Sequence, residues 1–444
     1  MNQLSAPSIG IWGLLGPESL PSSRRTRTLG LAAAVRQFNE LAVPGLGGVW
    51  YGKRVLLALL GVVVAEAVRS EDRNTRTPVS NIQVANAIEA LACLLAFRGN
   101  GWTSDPRLRG STKLDRSGVV DVPFAKARQA SFYVNQPMRM ATVQALPALG
   151  LVAQAARFNA FQSTERGREF VDLALSSWRP MNRTVVEQLK LWVMAQASNV
   201  DTPTLRQALS PLSGLSPMAS SLLRQHLQSG SPRRANALAW VTRLARNERL
   251  QKQERLPRPA EIDEAHWTDI LAGADFFKIQ GMATTVLDSV ETAIGPGRVP
   301  ILLEDAIRRE ATSSALKNLA AVASGFNHES QEAQAFCRAC ANSDKQAVLR
   351  ELLKRDGHVL RLDGAYVCPA GPAFQGHTPD EDRSGTDADD EGLGGPPTPI
   401  PDGFSFRLGN LYRLALDLDG RLDDWLASAN TPRMNEDTSE VPHG

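Results

Sequence analysis

Two stretches of this chain are too apolar to be left in water, and any fold it adopts must bury them. They are VLLALLGVVVA, Val55–Ala65, and NIQVANAIEALACLLAFRG, Asn81–Gly99. Their apolar residues run round most of a helical circumference instead of forming one stripe, the pattern of a helix enclosed by others. A bilayer is the other place to hide such a run. Val55–Ala65 is too short for that, since spanning takes about 20 residues, and Lys53, Arg54 and Glu66 flank it. The sequence therefore predicts core helices and no membrane partner.

At 444 residues the chain is longer than one core of roughly 250–300 residues can serve, so several domains are expected. Punctuation by Gly, Pro and charge suggests a flexible N-terminal arm (1–30), a basic helical domain (31–163), a small helical domain (164–258), a C-terminal helical domain (259–430) and a tail (431–444). Asn81 is expected to cap the second apolar helix and Gly99 to end it. Thr202–Pro203 and Ser231–Pro232 read as helix starts. A short strand is expected at GVVDVPF, and a longer apolar helix at MATVQALPALGLVAQAARFNAF, broken or kinked at Pro147. The charged, proline-punctuated segment 247–261 reads as a linker. Residues 371–403, acidic and rich in Gly and Pro, are expected to be disordered, because they hold too little apolar surface to offset the entropy of ordering.

The most informative segment is SDKQAVLRELLKRDGHVLRLDGAYVCP, Ser343–Pro369. Ser343 with Gln346 forms a capping-box pattern, Val348, Leu349, Leu352 and Leu353 an apolar stripe, and Gly357 a stop. HVLRL and AYVCP then flank Asp363–Gly364, which predicts a β-hairpin over 358–369. Helices leading into a helix and then a hairpin follow the order of a winged-helix module. The fold class expected is thus mainly α, a multi-domain helical protein with a small helix-plus-hairpin, winged-helix-like C-terminal module.

Charge is unevenly spread. Net charges are +9 over residues 1–180, +3 over 181–370 and −10 over 371–444. The positive charge is almost entirely arginine, 40 Arg against 9 Lys, a bias that a GC-rich, bacterial genome would also produce. Two basic clusters stand out as contacts for phosphate: Arg107, Arg109, Lys113, Arg116, Lys126 and Arg128 in a polar loop, and Lys345, Arg350, Lys354, Arg355 and Arg361 in the winged-helix-like segment. A basic front and an acidic tail can attract different partners, or each other.

Other patterns point to less. Gly47, Gly52 and Lys53 match GxxxxGK of a phosphate-binding loop, but Arg54 stands where a Ser or Thr hydroxyl should hold magnesium, so a glycine turn before a buried helix is expected. Cys337 and Cys340 form a CxxC that His358 and Cys368 could complete as a zinc site, yet AQAFCRACA reads as helix interior, and no metal is expected. The Glu261–Trp267 segment, EIDEAHW, reads as a charged helix start, and no nucleophile motif is legible, so the expectation leans away from an enzyme and from any cofactor. Four cysteines and an apolar-then-basic N-terminus predict a reducing, cytoplasmic setting. The leading expectation is a non-catalytic adaptor or subunit of a larger assembly that engages nucleic acid and other protein subunits. The alternatives are a protein-interaction scaffold without nucleic-acid binding and a degenerate P-loop-like nucleotide binder.

Overall fold

The structure, a computed structural model, describes residues 27–71, 79–114, 116, 122–129, 131–198, 200–246, 256–376 and 398–428. The N-terminal arm before Arg27, most of the 247–261 linker, most of the acidic segment 371–403 and the tail 431–444 lie outside the described residues. So does most of the GVVDVPF strand.

The protein is mainly α-helical, with a three-stranded antiparallel sheet. In chain order come α1 (Ala32–Ala42), α2 (Gly52–Glu71), α3 (Asn81–Gly99), α4 (Phe124–Ala127), α5 (Ala145–Ala148), α6 (Glu165–Leu175), α7 (Val185–Val193), α8 (Pro203–Leu209), α9 (Pro217–Gln228), α10 (Pro232–Arg246) and α11 (Glu264–Ile294). Then follow β1 (Ile301–Leu302), α12 (Leu303–Arg308), α13 (Glu310–Ala323), α14 (Gln331–Cys340), α15 (Lys345–Asp356), β2 (Leu360–Asp363), β3 (Tyr366–Pro369), α16 (Phe406–Leu418) and α17 (Leu422–Ser428). They group into two compact units, Val35–Phe277 with Gly385–Gly444, and Met1–Ala34 with Lys278–Ser384.

The larger unit is built on α2 and α3, the two apolar stretches. Ser80 caps α3 in a full capping box with Gln83. The cap is thus one residue earlier than expected, because the Asn81 amide is needed inside, donating to the Phe158 and Phe161 carbonyls. The α3 helix is long and apolar enough to cross a membrane, but most of it is buried inside this unit. At the α2–α3 crossing a side chain on Gly61 would overlap the Cα and Cβ of Ala85, so the two backbones touch. The long helix expected over Met140–Phe161 is instead two 3-10 turns, Met138–Thr142 and Phe158–Ala160, with the single turn α5 between them. Pro147 lacks an N–H for a longer ladder, and Gly150 turns left-handed at φ +70.

Several arginines hold this unit together from within. Arg234, 2% exposed, donates to the carbonyls of Leu227, Pro44, Ala148, His226 and Ser229. Arg407 bridges Glu40, the Val43 carbonyl and Gln144. Arg234 thereby satisfies carbonyls in the last turn of α9 and in the turns beside it, which have no helical partner.

In the smaller unit α15 runs as expected to Gly357, left-handed at φ +58, but Asp344 supplies its N-cap in place of Ser343. The hairpin forms with Gly364 and Ala365 as its two loop residues, one step beyond the Asp363–Gly364 expected. Gly364, at φ +59, supplies the positive φ needed at the first loop position. β1 joins the free edge of β3, pairing Ile301 with Val367 and Leu302 with Tyr366. Arg27 is the internal fastener: its guanidinium, 3% exposed, meets Asp288, Glu291 and Asp356. Glu291 also accepts the Gln375 and Gly376 amides and Asp356 the Leu360 amide, so one arginine ties α11, α15 and the hairpin together.

Two stability predictions follow. Gly61→Ala lowers unfolding free energy by about 1–3 kcal/mol through overpacking, although alanine is the better helix former by about 1 kcal/mol. Gly281→Ala in α11, where a Cβ meets nothing within 4 Å, is neutral or stabilising; urea denaturation of both variants reads the contrast. Arg27→Ala costs about 3–5 kcal/mol by leaving buried carboxylates uncompensated, and the loss shrinks as pH falls into the carboxylate range, where protonation removes the stranded charge.

Candidate nucleic-acid interface

The helix α15 turns Val348, Leu349, Leu352 and Leu353 inward and leaves Arg350 and Lys354 exposed, one helical turn apart on its outer side. The Gly357 cap then swings the chain into β2, where Arg361 is exposed. In the register of the hairpin, Leu360, Leu362 and Val367 form one face. Arg361, Asp363 and Tyr366 form the other, with Leu302 of β1 beside Tyr366. The second face is open: Tyr366 is 49% and Leu302 39% exposed.

The other two basic residues of this segment hold the helix in place. Lys345 is half-buried with its Nζ 2.7 Å from Ser313 Oγ on α13. Arg355 pairs with Glu351 at 2.8 Å, reaches the Leu29 carbonyl and lies over the Phe336 ring of α14. Asp356 completes the base: burial pushes its carboxyl up, against the pull of Arg27. A rigid mount thus carries three outward cations, Arg350, Lys354 and Arg361.

The first basic cluster is differently employed. Arg107 is 8% exposed, paired with Asp105 and Asp423 and hydrogen-bonded to the Leu212 carbonyl. It is therefore a fastener of the larger unit, not an open contact for phosphate. Its local cue was Asp105, two residues away, while Asp423 was too distant in sequence to suggest the pairing. Arg109 is half-buried and donates to the Gln136 carbonyl. Arg116, Lys126 and Arg128 are exposed but lie over Trp102, Phe132 and Phe124 respectively, and Lys113 reaches Asn135. Loop folding draws on these charges, and the cluster presents a less open face than α15.

Sequence reading also missed the exposed Tyr366–Leu302 pair. The period-2 alternation of AYVCP placed Tyr366 opposite buried Val367, but two-residue β1 left no sequence signal of its own.

At the GxxxxGK pattern, Gly52 and Lys53 open α2. The Gly52 amide donates to the Asp417 carboxylate at 2.7 Å, Lys53 Nζ to the Ala208 carbonyl at 3.1 Å and Arg54 to the Gly48 carbonyl at 2.7 Å. A carboxylate from α16 takes the place at the helix N-terminus that a phosphate would need. Burial pushes the Lys53 ammonium down to about 8 and the Asp417 carboxyl up. Of the CxxC, Cys337 and Cys340 are buried on α14, with burial pushing the Cys340 thiol up to about 12, whereas His358 is exposed on the chain leading into β2. In EIDEAHW, Glu261 pairs with Arg243, Asp263 accepts the His266 amide, and the His266 ring meets the Ala42 carbonyl.

The chain matches no protein-family model, no curated protein and no solved structure.

The buried ammonium gives a pH prediction. Below about pH 8 Lys53 is protonated whether folded or unfolded, and the penalty for burying it is present in full. Between about 8 and 10.5 the folded chain sheds a proton that the unfolded chain keeps, so this residue's contribution to stability rises with pH, by about 3 kcal/mol in all. Measured against Lys53→Met by denaturant unfolding, the wild type therefore gains across that window. A difference that stays flat with pH contradicts the assignment.

Proposed function

We propose that this protein is a non-catalytic helical adaptor or subunit of a larger assembly that engages nucleic acid through α15 and its hairpin. The observation that carries this reading is the sheet order β1-β3-β2: a strand added to the outer edge of a hairpin that follows a helix, with Arg350, Lys354 and Arg361 outward. This order supports a winged-helix reading, in which the helix would meet the duplex and the hairpin would lie along its backbone. In this reading Arg350 and Lys354 meet phosphates or base edges, and Arg361 a phosphate beside the wing. Arg116, Lys126 and Arg128 offer a secondary, sequence-independent contact.

The reading includes a reducing, cytoplasmic, bacterial setting, supported by cysteines that are all free thiols and by the arginine-heavy composition. A protein-interaction scaffold is the second reading, and the exposed Tyr366–Leu302 pair favours it, because aromatic and aliphatic side chains anchor protein interfaces.

Fluorescence anisotropy with labelled duplex and single-stranded DNA and RNA tests the proposal. Binding is expected at about 50 mM salt and should weaken linearly in log–log form as salt rises. Arg350→Ala and Lys354→Ala should each weaken it and lower the salt slope by about one, while Arg107→Ala should act only through stability. No binding at low salt contradicts the proposal and directs attention to a protein partner at Tyr366.

A further inference from the structure

A cleft of about 340 Å³ lies in the larger unit, and none of its lining residues is among those assigned above to nucleic acid. Its apolar wall is Val63 of α2, Val171 and Leu175 of α6 and Val185 of α7. Two exposed arginines, Arg168 and Arg179, stand at its rim with a single carboxylate, Asp172.

Arg168 is held in place by a relay. Its Nη1 donates to the Ser163 carbonyl at 2.8 Å and to Ser163 Oγ at 2.9 Å. Ser163 in turn donates through its amide, at 2.7 Å, and its hydroxyl to the Glu66 carboxylate of α2. Next to it, a side chain on Gly167 would strike the Leu151 carbonyl, so the start of α6 is pressed against another backbone and cannot drift. Arg179 precedes two successive non-glycine residues in the left-handed region, Met181 at φ +53 and Asn182 at φ +61. This left-handed backbone turns the chain between Arg179 and Thr184, the cap of α7.

An apolar wall beneath two positive groups and one negative group matches a ligand that carries one negative charge on a hydrocarbon or aryl body. The volume lies at the low end of ligand sites, roughly 300–1,000 Å³, so the ligand is small. Guanidinium pairs carboxylate through two parallel hydrogen bonds, and with Asp172 beside the two arginines the lining carries one net positive charge, which a single carboxylate matches better than a phosphate dianion. We propose that this cleft is a binding site for a small amphipathic carboxylate, its head on Arg168 and Arg179 and its body against Val63, Val171, Leu175 and Val185. The site is independent of the nucleic-acid reading and stands or falls separately.

Isothermal titration calorimetry of the full chain with sodium octanoate tests it, with 1-octanol as the uncharged control. Saturable 1:1 binding of octanoate is expected, with octanol at least about tenfold weaker. Arg179→Ala is the principal variant, because the residue is exposed and donates only to the neighbouring Trp178 carbonyl among the described residues. It should weaken octanoate about tenfold or more without lowering thermal stability. Val186→Trp, which fills the cleft from a half-buried lining position, should abolish binding. Absence of octanoate binding at millimolar concentration, equal affinity for octanol, or undiminished binding in both variants would overturn the proposal.

Discussion

The backbone contact between α2 and α3 at Gly61 and Ala85 is the constraint on which the larger unit depends. Helices apolar round most of their surface have no preferred face, so their mutual register must come from shape. A missing side chain at Gly61, met by Ala85, supplies it. With that pair fixed, the polar groups that accompany it must find partners inside. Lys53 takes the Ala208 carbonyl, Glu89 the Met138 and Arg139 amides, and Asn81 two carbonyls of the Phe158–Phe161 turn.

Arginine has two distinct employments in this chain. The side chains of Arg27, Arg107, Arg234 and Arg407 are buried, and each planar fork gathers several oxygens: carboxylates at Arg27, backbone carbonyls at Arg234, and both carboxylates and carbonyls at Arg107 and Arg407. Arg350 and Arg361, with Lys354, are exposed on elements whose other faces are packed. The sequence alone points to two open basic clusters. Part of that charge is instead internal structure, and the surface that remains for a partner is smaller and more localised than the count of 40 arginines implies.

That division also explains what could be read in the sequence. The apolar runs that became α2 and α3, the stripe and glycine stop of α15 and the hairpin signal after it are local patterns; the structure follows them to within a residue at the α3 and α15 caps and the hairpin loop, while α2 extends beyond its apolar run at both ends. Non-local pairings left no such trace. Arg27 meets Asp356 across 329 positions, Arg107 meets Asp423 across 316, and β1 is two residues long, recognisable as a strand only by the β3 edge it joins. The helix expected over Met140–Phe161 was misleading for a different reason: its larger residues Leu146, Leu149, Leu151, Val152, Phe158 and Phe161 are buried, but Met140 and several alanines are exposed and Pro147 and Gly150 break the ladder, so burial persists without a continuous helix. Charge and burial cannot be separated in a sequence, which is why Arg107 and Arg350 looked alike there.

The measurement that most directly tests the role assigned to α15 and its hairpin is hydrogen–deuterium exchange, with and without a DNA or RNA duplex at low salt. Slowed exchange concentrated in residues 345–369, with little change in the loop around Arg107, is the expected result. Protection confined to residues 107–128, or no protection under conditions where the duplex is bound, would contradict it.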